Sequence, residues 1–107
     1  VEQFEEDYRY ILDKVNQELE AKLILCEPFV LPFPKDRKAW RKDLDPKIQV
    51  VRNLALEYNA ILLPLDGIFA HAATLRSPEF WLPDGVHPSP FGHALIAREW
   101  LKAVNAL

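Results

Sequence analysis

Asp84-Gly85-Val86-His87-Pro88, running directly into Ser89-Pro90, is the stretch from which the rest of the 107-residue chain is read. An acid stands three residues before a histidine, in a turn opened by glycine and closed by proline. Glycine accepts tight or left-handed backbone without a steric penalty. Pro88 pushes His87 out of the helical region into an extended one. Such a turn can bring the Asp84 carboxylate to the imidazole, fix its tautomer and stabilise the imidazolium. The other ring nitrogen is then free to take a proton from a hydroxyl. Ser89 as N-cap and Pro90 at the first helical position start a closing helix that runs to about Asn105. Its predicted inward residues are Ala94, Ala97, Leu101 and Val104, with Trp100 beside them.

Upstream of the turn, residues 76–86 read as a loop carrying Pro78, Phe80, Trp81 and Pro83. Before it, Asp66-Gly67 starts a short helix to about Leu75, with Asp66 as its N-cap. His71 in that helix has no evident partner and reads as structural or exposed. Residues 60–65 form a buried strand broken at Pro64. The preceding helix opens at Asp45-Pro46 and presents Ile48, Val51, Leu54, Ala55 and Tyr58 on one face, with Asn59 as C-cap. Residues 28–44 hold Pro28, Pro32, Pro34 and a charged run, the composition of a long loop, and such loops are often functional. Residues 22–27 are an apolar run without alternation, which predicts a strand covered on both faces. Residues 2–20 place Phe4, Tyr8, Ile11, Leu12, Val15 and Leu19 on one helical stripe.

Helix, strand, helix, strand, short helix, helix is an α/β order, and the strand–helix–strand unit predicts a right-handed crossover with parallel strands. Two strands make a marginal sheet, so three amphipathic helices imply further strands upstream. Half of the residues are hydrophobic, enough for a packed core in one domain, and the net charge of -3 offers nothing to nucleic acid or an anionic membrane. No apolar run reaches the roughly 20 residues of a membrane span. The single cysteine, Cys26, lies in the first apolar run and reads as a buried thiol. One unpaired cysteine tilts toward a reducing compartment such as the cytoplasm.

Asp84-Gly85-Val86-His87-Pro88, followed by Ser89-Pro90-Phe91-Gly92-His93-Ala94-Leu95-Ile96-Ala97, resembles the final sequence block of the SGNH (GDSL) hydrolases. These are serine esterases and acyl hydrolases with a flavodoxin-like fold. The upstream order, with its strand ending Glu27-Pro28-Phe29, is similar to the C-terminal half of the single-domain bacterial members. The resemblance covers essentially all of the chain. It implies a flavodoxin-like three-layer α/β/α fold with a parallel sheet. That fold would be present here as an incomplete C-terminal portion, residues 1–107 being part of a single SGNH domain. Asp84 and His87 would be the acid and the histidine of the triad. The family's Gly-Asp-Ser and Gly-x-Asn-Asp blocks have no counterpart. The only serines are Ser77 and Ser89, and Asn16, Asn53, Asn59 and Asn105 lack the required context. Nucleophile and oxyanion hole are therefore expected in a missing N-terminal half.

By this resemblance the complete protein is a carboxylic ester hydrolase acting on a small acyl ester, and the isolated chain is inactive. Phe29, Phe80 and Trp81 are candidates to wall the substrate pocket, with core packing the alternative for each. Ser89 sits too close to His87 for a nucleophile and has better use as a helix cap. A metal on Asp84, His87 and His93 lacks a second ligand cluster, so no metal and no cofactor are expected. The competing class is a non-catalytic α/β interaction module, or an inactive hydrolase relic, that binds a partner through an open sheet edge. The same edge invites a second copy of the chain.

Overall fold

A computed structural model describes residues 1–105. Helix α1 spans Glu2–Glu18, strand β1 Ile24–Cys26 and helix α2 Arg41–Glu57, with a 3₁₀ helix at Lys35–Trp40 leading into α2. Strand β2 is Ile61–Leu63, and three helices follow: α3 Leu65–Ala72, α4 Pro78–Trp81 and α5 Pro90–Ala103. The strands are parallel, with Ile24, Leu25 and Cys26 opposite Ile61, Leu62 and Leu63.

Alternation along these short strands sends side chains to two cores. Leu25 and Leu62 join Leu12 of α1 and Val50, Val51, Leu54 and Ala55 of α2. Ile24 and Leu63 join Leu65 and Phe69 of α3, Leu82, and Leu95 and Ile96 of α5. The sheet is thus covered on both faces, a three-layer α/β/α arrangement with α1 and α2 on one side and α3 to α5 on the other. One edge of β1 has no strand beside it among the described residues.

The α2 stripe lies where periodicity predicts, and Asn59 closes that helix in left-handed backbone at φ 51°. Several local expectations are corrected, and the stretch 76–86 read as a loop holds helix α4. First, α2 begins at Arg41 rather than at Asp45-Pro46, because the 3₁₀ turn feeds straight into it. Asp45 instead pairs with Arg41 at 2.5 Å. Pro46 lies inside the helix, where its missing N–H would have bonded the Lys42 carbonyl; both residues are exposed. Second, Asp66 lies within α3 and its carboxylate serves Arg41 rather than the helix start.

Third, α5 is rotated from its predicted face. Gly92 is buried against α4, and a Cβ there would stand 2.4 Å from the Trp81 carbonyl oxygen. That approach turns Leu95, Ile96 and Ala103 to the core and leaves Ala94 and Ala97 exposed, with Trp100 and Leu101 also at the surface. Fourth, Cys26 is exposed rather than buried. In α1, Leu12 is buried and Phe4 and Tyr8 pack beside it, but Ile11 and Leu19 are 58% and 60% exposed. These outward apolar residues belong to a slab only 17 Å thick in its shortest dimension.

Candidate active site

Short-range hydrogen bonds build the turn. α4 ends when the Leu82 amide bonds the Pro78 carbonyl, and the Gly85 amide then donates to the Leu82 carbonyl at 2.9 Å. Gly85 has φ +90°, and a Cβ at this position would fall 2.3 Å from the Phe33 carbonyl oxygen. Both facts demand glycine. Gly85→Ala is expected to lower stability by more than about 2 kcal/mol. A denaturant midpoint equal to the parent's would contradict that packing.

The Asp84 carboxylate is the hub. Its Oδ1 accepts from the amides of Val86 (3.0 Å) and His87 (2.7 Å), and its Oδ2 meets His87 Nδ1 at 2.5 Å. The His87 amide, the His87 ring and the Val86 amide together hold the Asp84 carboxyl well below the usual carboxylate range. An ionised Oδ2 can only accept, so Nδ1 carries the proton and neutral His87 has its lone pair on Nε2. The His87 side chain is 84% exposed, and among the described residues Asp84 is its side-chain partner. An imidazole fixed on one nitrogen and open on the other can act as a general base toward a group placed beside it.

Ser89 caps α5: its Oγ accepts from the Gly92 amide at 3.1 Å and donates to the Phe80 carbonyl at 2.7 Å. Its hydroxyl proton is already committed, which removes it as a nucleophile. Of the aromatic candidates, Phe29 packs on Phe69, ring centroids 4.8 Å apart. Trp81 is half-buried and its indole N–H bonds the Ala72 carbonyl at 3.0 Å. Phe80 stacks on Phe91 at 4.4 Å, with the Arg76 guanidinium over its ring. His71 and His93 are exposed. Among the described residues no group of three or more His, Cys, Asp or Glu side chains could hold a metal ion.

The turn rests on the loop that leaves β1. The Leu31 amide donates to the Gly85 carbonyl at 2.9 Å, and Arg37 Nε donates to the Asp84 carbonyl at 2.8 Å. Leu31 and Arg37 also line a cleft of about 600 Å³, together with Val30, Arg41, Asp66 and Ala73 among others. At its base Arg41 holds both Asp66 oxygens at 2.8 Å, and that pairing raises the pKa of the Arg41 guanidinium. Fully buried Glu27 accepts from Arg52 Nε at 2.6 Å and from the Asp66 amide at 3.2 Å. These pairs join the segments that leave β1 and β2. Sequence reasoning missed the cleft; its signals were the charged run at residues 35–38 and an acid placed just beyond β2.

The fold has counterparts among solved structures. A crystal structure from Parabacteroides merdae described as a GDSL-like lipase matches 97% of the chain with a TM-score of 0.89 and 31% identity. The chain is similar to a GDSL-type hydrolase over nearly all of its own length. An acetylxylan esterase of Geobacillus stearothermophilus is 28% identical over 83 residues, 78% of this chain. A crystal structure of an acetyl xylan esterase from the same organism shares the fold, with a TM-score of 0.80 at 23% identity over 97% of the chain. No family profile matches the chain. The chain spans about half the length of these two structures, 49% and 47%, and 37% of the curated esterase. No helix among its described residues is long and apolar enough to cross a membrane.

Proposed function

We propose that residues 1–107 are the C-terminal part of a single SGNH hydrolase domain and supply the acid–base pair of a serine ester hydrolase. The observation that carries the reading is the 2.5 Å contact between His87 Nδ1 and Asp84 Oδ2, with the far side of the ring open. In the complete domain a serine hydroxyl stands at His87 Nε2. His87 takes its proton as the serine oxygen attacks the acyl carbonyl carbon. The protonated ring then gives that proton to the departing alcohol. A water attacks the acyl-enzyme in the same way, releasing the acid and restoring the serine. The negative oxygen of each tetrahedral intermediate needs hydrogen-bond donors, which are typically worth about 3–4 kcal/mol apiece. Serine and donors come from outside this chain, since Ser89 is committed to its cap.

The free edge of β1 and the outward apolar residues of α1 support the same proposal. Remaining strands of the domain would pair with that edge, which is also where a separate partner or a second copy would add. Phe80 and Trp81 border the turn from α4 and are proposed as walls of the substrate pocket. Phe29, turned toward Phe69, is proposed to support that pocket from the core side. The names of the relatives make short-chain acyl esters, acetyl esters of sugars included, the first substrates to offer. The test is release of acid from p-nitrophenyl acetate and from acetylated xylooligosaccharides by the full-length protein. Saturable turnover is expected; no release from either substrate class at high enzyme concentration would sink the reading.

A further inference from the structure

His87 is exposed and among the described residues is held by Asp84, so the ring can be no better placed than that carboxylate. That carboxylate is in turn only as well placed as the Asp84 backbone. Two bonds from another segment fix this backbone: Leu31 N–H to the Gly85 carbonyl at 2.9 Å, and Arg37 Nε–H to the Asp84 carbonyl at 2.8 Å. The first comes from a main-chain amide in a buried residue. The second comes from a long side chain, which would lose rotamer freedom to hold one geometry. Arg37 has that freedom removed already. Its guanidinium carbon lies 4.2 Å from the centre of the Trp40 ring, its side chain is 20% exposed, and its Cγ packs against Gly85. Its ion-pair partner among the described residues is Asp36, at 3.2 Å. The bond to Asp84 goes to the carbonyl and not to the carboxylate, so Arg37 holds a position and does not act as the counter-ion of the acid.

We propose that Arg37 is a positioning residue for the Asp84–His87 pair, fixing through its Nε–H···O=C bond the backbone from which Asp84 reaches the imidazole. The proposal rests on the reading of Asp84 and His87 as the acid and base of the hydrolase. Trp40 is the support behind Arg37. The chain of contacts runs from the Trp40 ring to the guanidinium, then to the Asp84 carbonyl, the Asp84 carboxylate and His87 Nδ1. Because Arg37 also lines the cleft, whatever fills that cleft bears on the same chain of contacts.

Two substitutions separate the hydrogen bond from the charge. Arg37→Gln places an amide nitrogen or oxygen where Nε now stands, keeping a donor there and removing the charge. Arg37→Lys keeps the charge and places a methylene at that point. In the full-length protein, Arg37→Lys is expected to lower kcat on the order of tenfold with KM unchanged, since small misplacements of catalytic groups carry costs of this size or larger. Arg37→Gln is expected to retain most of the parent kcat. The proton on His87 Nδ1 should appear as a low-field NMR resonance in the parent and in Arg37→Gln, and shift upfield or broaden in Arg37→Lys. Parent-like kcat and resonance in Arg37→Lys would overturn the proposal, as would equal losses in both variants. Should Arg37→Lys fail to fold, Trp40→Leu removes the support while leaving the donor; an unchanged resonance there would be the contrary result. If neither parent nor variants turn over any ester, the hydrolase reading fails, while the resonance still decides the role of Arg37.

Discussion

His87→Ala in the full-length protein is expected to lower kcat for ester hydrolysis by about 10⁴-fold or more, the scale on which removal of a triad base acts. The loss should fall on kcat rather than KM, because Nε2 acts on the proton that moves in the transition state and not on the resting substrate. Folding should be nearly untouched. The side chain is 84% exposed and packs against little, so a stability change below about 1 kcal/mol is expected. Steady-state kinetics beside a thermal melt separates the two effects. A large drop in melting temperature with parent-like turnover would mean that His87 builds the turn instead of serving chemistry.

Asp84→Asn carries the second largest effect. The amide has nearly the same shape as the carboxylate and keeps one oxygen able to accept from the Val86 and His87 amides. What changes is the atom facing Nδ1. An NH₂ group there would donate to the ring, so the proton moves to Nε2, the nitrogen that must accept from the serine. A fall of about 10³–10⁴-fold in kcat is expected, as for other triads in which the acid becomes an amide and the histidine takes the wrong tautomer. Heteronuclear NMR of the imidazole nitrogens reads the tautomer directly. The parent should have its proton on Nδ1 and the variant on Nε2. A variant that keeps the Nδ1 proton and full turnover would show that the carboxylate does not orient the ring. Because the Asp84 carboxyl is held well below its ordinary range, it stays ionised as pH falls through 4 in the folded protein. The Asp84 carboxylate is therefore not the group that sets an acid-side decline in activity above pH 4.

The features legible in the sequence were those whose physics is local. Asp84 and His87 are three residues apart and Gly85 lies between them, so the turn that joins them could be written from the properties of five residues. Ser89 and Pro90 announced their helix for the same reason. The α2 stripe was legible because its apolar residues repeat with the helical period, and Val51, Leu54, Ala55 and Tyr58 pack into the core on one face of the sheet. What escaped was decided by contacts between distant segments. Asp45-Pro46 carries a good local start signal, yet a 3₁₀ turn and the Arg41–Asp66 pair 25 residues apart place the helix start earlier. The rotation of α5 follows from Gly92 lying against the Trp81 carbonyl, which no periodicity in α5 encodes. Arg37 looked like one charge in a charged loop. Its role follows from an acceptor 47 residues away. Cys26 read as buried because its run is apolar, but it belongs to a strand with a free edge.

Intact-mass analysis of the full-length protein after treatment with a fluorophosphonate probe tests the central claim most directly, with the modified residue located by peptide mapping. A serine activated by His87 should take a single adduct, the adduct should map to a serine outside residues 1–107, and His87→Ala should abolish it. No adduct on the folded parent protein, or an adduct on Ser77 or Ser89, would contradict the assignment of Asp84 and His87 as the acid–base pair of an SGNH esterase.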